Sequence, residues 1–428
     1  MTSQKRGDTS AAGPTQGARA PTGGSVVHEV TSVGATTTRQ LAPFAALSAT
    51  YFAHIGFFNP FLTLWLKELG LSLLAISLMT SVQAATRLFA PYAWGALSDR
   101  TGERVKLLRL GATLALVASL GLWVEASVWW LALVLLVVFT NTSAMMPMSE
   151  AAMAHLVSQG GSIDMKRYGR VRLWGSVGFL LAVFAAGAWF EAFGMRHFPL
   201  WTVVTIALVC VSAWWMPDYK EAPHSQEQKQ SVLLVLKQKA VAWFFIALFF
   251  HVLSHMGIYV FFSLYCDSLG YSKTTIGLLW AWSVVVEIVW FFTQSRWLPR
   301  LSLTAWLGVC SAVALLRFGI TAQWGAMLVL LFLAQTLHAI TFATHHTVCI
   351  ALLSHHFPGR LRGRGQALYT VIGYGFPGVL GGVAGGLLST RYGLGSIYWV
   401  CMGVSALACA CGFKVWRLQH PARGAQTG

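Results

Sequence analysis

Acidic side chains are scarce in this chain. Asp and Glu supply 14 of its 428 residues, and charged residues of all kinds reach only 10%. A soluble domain carries about a quarter of its residues as charges, so water is excluded as the solvent of most of this fold. No polar stretch between the apolar runs is long enough to form a soluble domain. Cysteine offers no metal chemistry either: Cys210, Cys266, Cys310, Cys349, Cys401, Cys409 and Cys411 form no CxxC and no His/Cys ligand spacing. They read as small apolar packing residues, and neither a metal nor a cofactor is expected. The stretch HVLSH at 251–255 lacks the Glu of HExxH, which counts against an intramembrane metalloenzyme built on His251, His255, His345 and His346. Residues 1–40 contain no apolar h-region and are expected to form a disordered cytoplasmic tail rather than a cleaved leader.

What remains is apolar: 56% of the residues are hydrophobic, with 19 Trp and 26 Phe. Runs of about 20 apolar residues, the length of a helix crossing a bilayer, recur at 41–66, 73–98, 107–126, 128–154, 169–192, 199–216, 241–266, 275–297, 302–321, 324–353, 364–390 and 394–416. The formal charge of +16 could suggest nucleic acid, but its placement excludes that reading. Of 30 Lys and Arg, 24 fall in the tails and loops of one side, four (Lys67, Arg196, Lys273, Arg391) on the other, and Arg87 and Arg317 within runs. This asymmetry orients a membrane protein with both termini in the cytoplasm.

An internal repeat organises the runs. A shift of 200 positions sets FLTLWLKELGLSLLAISL (61–78) over FFSLYCDSLGYSKTTIGL (261–278), with Gly70 over Gly270 and Ser72 over Ser272. A shift of 195 sets Leu173, Gly178 and Gly187 over Leu368, Gly373 and Gly382. The expected fold is an all-α membrane protein of twelve transmembrane helices in two parallel six-helix repeats. Its bundles would occupy 41–216 and 241–417, joined by a cytoplasmic linker at 217–240 and followed by a short tail at 418–428.

Ionisable groups inside a bilayer cost several kcal/mol, so the few present mark a pathway or a partner. Arg87 and Glu287 stand about halfway along their runs and, under the 200-residue shift, over one another, as symmetry mates of opposite sign. Both are expected to face a central cavity, where a carboxyl group can load and release a proton as access alternates. Arg317 is the expected counter-charge of Glu287. His338 and His345, seven apart, share one face of a regular helix, as do His251 and His255, four apart. Of these, His338 beside Thr341 and His255 are candidate cavity groups. Trp174, Phe179, Tyr259 and Trp282 are candidate aromatic walls.

The loop GALSDRTGER (95–104) resembles the G-x-L-A-D-R-x-G-R-[RK] loop of the major facilitator superfamily, departing at Glu103. The resemblance implies that Asp99, with Arg100, helps to hold the cytoplasmic side closed in one state. KRYGRVRLWGSVGF (166–179), the stretch 251–289, LLRFG (315–319) and QTLHAITFATHH (335–346) resemble the phenylpropionate permease family of that superfamily, a relative of the lactose permease. That resemblance implies uptake of aromatic acids coupled to protons. PMSEAA and GRVR match sugar-binding motifs of the lactose permease, implying a cavity pair of Glu150 and Arg172. Glu287, Arg317 and His338 fall in the contexts of its coupling residues. Thr341 stands where that permease carries its proton-bearing Glu, and Phe179 where it has the Trp supporting the sugar. The expected function is therefore a monomeric bacterial inner-membrane proton symporter for a small organic solute such as an aromatic carboxylate. Sugar or nucleoside symport and export of drugs or metabolites stay open, as does a non-transporting sensor.

Overall fold

The computed structural model describes residues 38–124, 127–159, 162–163, 165–218, 232–358 and 361–419. The tail to residue 37, the linker stretch 219–231 and the end from 420 lie outside the described residues. Among the described residues, twelve helices are long and apolar enough to cross a membrane. They are α1 (Leu41–Glu68), α2 (Leu73–Thr101), α3 (Arg104–Trp123), α4 (Val128–Glu150), α5 (Gly169–Phe193) and α6 (Met195–Trp215). The second set comprises α7 (Lys239–Ser268), α8 (Lys273–Arg296), α9 (Leu303–Trp324), α10 (Leu328–His356), α11 (Gly363–Tyr392) and α12 (Gly395–Gln419). Helices satisfy every backbone polar group within one segment, which is why apolar runs in lipid take this form. Outside these spans, a short antiparallel pair joins Ser158–Gln159 to Ser162–Ile163, and a short helix, Val232–Leu236, precedes α7.

The repeat is visible in the turns. Gly70 and Gly270 both adopt the left-handed conformation, with φ of 80° and 83°, which a side chain would strain. Two residues on, Ser72 and Ser272 cap α2 and α8, each hydroxyl accepting from the backbone N–H three residues ahead, at 3.3 and 3.1 Å. Gly194 and Gly393, with φ of 82° and 80°, turn the chain in the same way before α6 and α12. Two copies of one sequence pattern thus produce two copies of one helix-turn-helix geometry.

Within the first six helices α1 packs on α5 and α6, and within the last six α12 packs on α7 and α9. The two sets meet along α2 with α11 and α5 with α8. Small residues allow those approaches. A methyl group at Gly386 would overlap Ser77 Oγ, and one at Gly382 would overlap Ser81 Oγ. One at Gly187 would come within 2.8 Å of the Lys273 carbonyl. Polar ties reinforce the same end of the molecule. Lys67 Nζ meets Asp267 Oδ2 at 2.6 Å, 200 positions apart, and Glu191 accepts the backbone N–H of Lys273 at 2.6 Å at the start of α8.

At the other end Asp99 pairs with Arg104 at 3.5 Å, inside its own half, and Arg100 is exposed. Asp99, expected with Arg100 to hold the cytoplasmic side closed, meets Arg104 of its own loop here, because Gly102, with φ of 68°, turns the chain back on α2 and brings Arg104 alongside.

Candidate functional site

Between the two sets of helices lies a cavity of about 330 Å³, walled by α1, α2, α5, α7, α8, α10 and α11. That volume falls at the small end of the range for organic ligand pockets. Its walls differ in charge. The first half contributes Arg87 from α2 and Arg172 from α5, with the amides of Asn59 and Gln83. The second half contributes Glu287 from α8 and His338 from α10. Phe52, Phe179, Tyr259, Trp280, Phe342 and Tyr374 supply aromatic surface.

The two arginines are held differently. The Arg172 guanidinium lies 4.2 Å from the centre of the Phe52 ring, and its Nε is 3.8 Å from Glu150 Oε1. Gly175, one turn on, makes room: a Cβ there would stand 2.7 Å from the Phe52 ring and 3.1 Å from Arg172 Nη1. Arg87, by contrast, has no hydrogen-bond or ion-pair partner among the described residues, although it is half-buried. Its neighbour one turn earlier, Gln83, donates to Asn59 Oδ1 at 3.1 Å.

On the second wall a continuous chain of hydrogen bonds runs inward from the cavity. Glu287 Oε2 is 3.3 Å from His338 Nε2, and His338 Nδ1 is 3.3 Å from Arg317 Nη1. Guanidinium nitrogens only donate, so Nδ1 must accept and carries no proton. In such a chain the ring proton sits on Nε2 and is donated to Glu287. Arg317, 1% exposed, also donates to Thr341 Oγ1 at 2.9 Å and to Gln335 Oε1. Thr341, whose hydroxyl accepts from the guanidinium, thus helps to hold Arg317 in place.

Helix α10 is irregular at this point. Residues Ala339–Thr344 form a π-helical segment, in which Thr344 Oγ1 reaches back five residues to the Ala339 carbonyl at 3.1 Å. The wider turn separates two histidines expected on one face. His338 looks into the cavity, whereas His345 is buried and stacks on His251 with ring centres 3.6 Å apart. A second π segment, Val371–Gly375, carries Tyr374 in α11. Such segments recur at functional positions because they re-aim side chains without ending the helix.

Six of the expected residues line the cavity together: Arg87, Arg172, Phe179, Tyr259, Glu287 and His338. Glu150 and Arg317 stand behind it, each joined to a lining residue. The expected direct exchange of Glu287 with Arg317 is replaced by contact through the intervening His338 ring. Three expectations fail. Trp174 is 55% exposed and Trp282 40% exposed, its indole donating to Thr336. Each is two positions from a residue that does face inward, Arg172 and Trp280, and two steps of an α-helix turn a side chain by about 200°. His255 is buried away from the cavity, with Nδ1 bonded to the His251 carbonyl at 2.8 Å and its ring on Phe318.

Asn59, Gln83, Trp280, Phe342 and Tyr374 were not anticipated. Gln83 precedes Arg87 by one turn and so shares its face, a usable signal. Tyr374 lies 195 positions after Phe179, so the repeat could have found it.

Arg317→Met is expected to destabilise the protein in detergent by about 3 kcal/mol or more, because it strands Gln335, Thr341 and a His338–Glu287 pair in a buried site. A thermal unfolding series checks this, and a melting temperature equal to that of the unaltered protein would show that the guanidinium is not held as described.

The MFS_1 like family model matches residues 45–400. The chain is 27% identical over 355 residues to the probable 3-phenylpropionic acid transporter of Escherichia coli K12, covering 82% of this chain and 91% of that one. It is 26% identical over 359 residues to the maltose permease of Geobacillus stearothermophilus, covering 81% and 87%. Among solved structures, a mutant of the nucleoside transporter NupG superposes with a TM-score of 0.77 over 88% of this chain and 100% of its own, at 17% identity. That last likeness is one of fold.

Proposed function

The chain belongs to the MFS_1 like family of secondary transporters, membrane proteins rather than enzymes, and on that premise we propose that it carries a small aromatic carboxylate together with a proton. The observation behind this reading is the unpartnered Arg87 in a cavity with aromatic walls, facing an acid that can be neutralised. The carboxylate of the solute would meet the Arg87 guanidinium, and its ring would lie among Phe179, Tyr259, Trp280 and Tyr374. While Glu287 is charged it repels an anion in the same chamber; once it is protonated that repulsion is gone. Proton and anion therefore raise each other's affinity, which is the thermodynamic content of symport. The bundles 41–216 and 241–417 would rock about this site to expose it alternately. The basic excess on one side supports cytoplasmic termini in a bacterial inner membrane, and one chain suffices to build the cavity.

A second reading is favoured by the Asn59–Gln83 amide pair, which suits the hydroxyl groups of a sugar or nucleoside. Thermal stabilisation of the purified protein separates the two. 3-Phenylpropionate at a hundred times its dissociation constant should add about 2.7 kcal/mol of stability, and its neutral amide much less. Stabilisation by maltose or uridine with none by the acid would replace the first reading by the second.

A further inference from the structure

Behind the cavity, between α10 and α11, runs a second polar chain, of which the scheme above uses only the Tyr374 ring and neither Tyr369 nor His346. Tyr374 lines the cavity, its hydroxyl is 3.2 Å from that of Tyr369, and the Tyr369 hydroxyl is 3.0 Å from His346 Nδ1. Tyr369 is 6% exposed and does not reach the cavity, while His346 is half-buried. His346 lies eight positions beyond His338, toward the end where α10 finishes. Phe342 stands between the two histidines, its ring 4.9 Å from His338 and 6.2 Å from His346, both nearly parallel. It interrupts any direct polar path along α10. The charged groups near enough to act on His346 are Glu287 of α8 and Arg172 of α5; His345, next in sequence, is turned toward His251.

The repeat makes this chain informative. The counterparts of Tyr369 and Tyr374 at 195 positions earlier are Trp174 and Phe179, neither of which carries a hydroxyl. The half that holds Glu287 and His338 therefore also holds the hydroxyl pair, and the half that supplies Arg87 and Arg172 to the cavity does not. Tyr374 lies inside one π segment and His346 closely follows the other.

Resting on the proton-coupled reading, we infer that Tyr374, Tyr369 and His346 form a relay that carries the proton of Glu287 from the cavity toward the end where α10 finishes. The carboxylic acid of Glu287 gives its proton to a cavity water, which passes one to Tyr374. Tyr374 passes its own hydroxyl proton to Tyr369, and Tyr369 passes its own to His346 Nδ1. Both tyrosines end neutral, Glu287 ends as carboxylate and His346 as imidazolium, which then releases the proton from Nε2 to solvent. Each hydroxyl donates as it accepts, the geometry that a hydrogen-bonded chain of this kind requires.

Two activities of the purified chain in liposomes test the relay, with 3-phenylpropionate as probe and protein-free liposomes subtracted. One is uptake driven by an imposed pH gradient; the other is exchange of labelled for unlabelled acid at equal pH, which needs no net proton movement. Tyr369→Phe and His346→Gln should each slow gradient-driven uptake at least tenfold and leave exchange within twofold. Gradient-driven uptake at the unaltered rate in both variants would overturn the relay, as would a parallel loss of both activities, which would mark a packing role. Absence of gradient-driven uptake by the unaltered protein would instead overturn the coupled reading, and the relay with it.

Discussion

Glu287→Gln is expected to lose accumulation of the aromatic acid against its gradient by a hundredfold or more, while exchange at equal pH continues. The substitution is nearly isosteric, and the amide oxygen can still accept from His338 Nε2 where the carboxylate does at 3.3 Å. The chain from His338 through Arg317 to Thr341 and Gln335 therefore has no reason to collapse. What goes is the capacity to take up a proton, and a positioned proton carrier contributes on the order of 10² to 10⁴ in rate. The amide also imitates the protonated acid, so the anion should bind with its affinity no longer dependent on pH. Uptake into liposomes under an imposed pH gradient, beside equilibrium exchange, reads both effects. Undiminished accumulation would remove Glu287 from the coupling scheme.

The twelve helices were legible because lipid leaves an apolar run little choice but to be a helix, and their ends fall within four residues of the expected ones. The two-fold repeat was legible for a local reason as well. A glycine followed two positions later by serine, as at Gly70 and Ser72, prescribes a left-handed turn and a helix cap, and the same prescription at Gly270 and Ser272 produced the same geometry. Arg87, Arg172, Glu287 and His338 could be assigned to the cavity because a charge or imidazole in a bilayer needs a polar place to point. No such rule governs tryptophan, which is stable against lipid, and so Trp174 and Trp282 were assigned to the wrong faces. The separation of His338 from His345 was hidden for another reason. It depends on a π segment over Ala339–Thr344, and nothing in the run AITFAT distinguishes a wide turn from an ordinary one. Depth likewise placed Arg317 near Glu287 without revealing that the His338 ring stands between them.

Arg87→Gln should weaken binding of 3-phenylpropionate by at least thirtyfold while leaving the protein as stable as before, the opposite balance to Arg317→Met. The contrast follows from what each guanidinium touches. Arg317 is 1% exposed and donates to three side chains, so its removal strands partners inside the fold. Arg87 has no hydrogen-bond or ion-pair partner among the described residues, so nothing in the empty protein depends on it. Its desolvation is offset only when an anion arrives, and truncating one member of a buried charge pair costs about 2–5 kcal/mol, of which 2 kcal/mol is already thirtyfold. Arg87→Lys should fall between, since an ammonium keeps the charge but loses the planar fork that meets both carboxylate oxygens. Isothermal titration gives the dissociation constants, and a melting series on the same samples gives the stabilities. If Arg87→Gln binds the acid as tightly as the unaltered chain while Arg172→Gln does not, the carboxylate sits against α5, where Phe52 and Glu150 already hold a guanidinium in place.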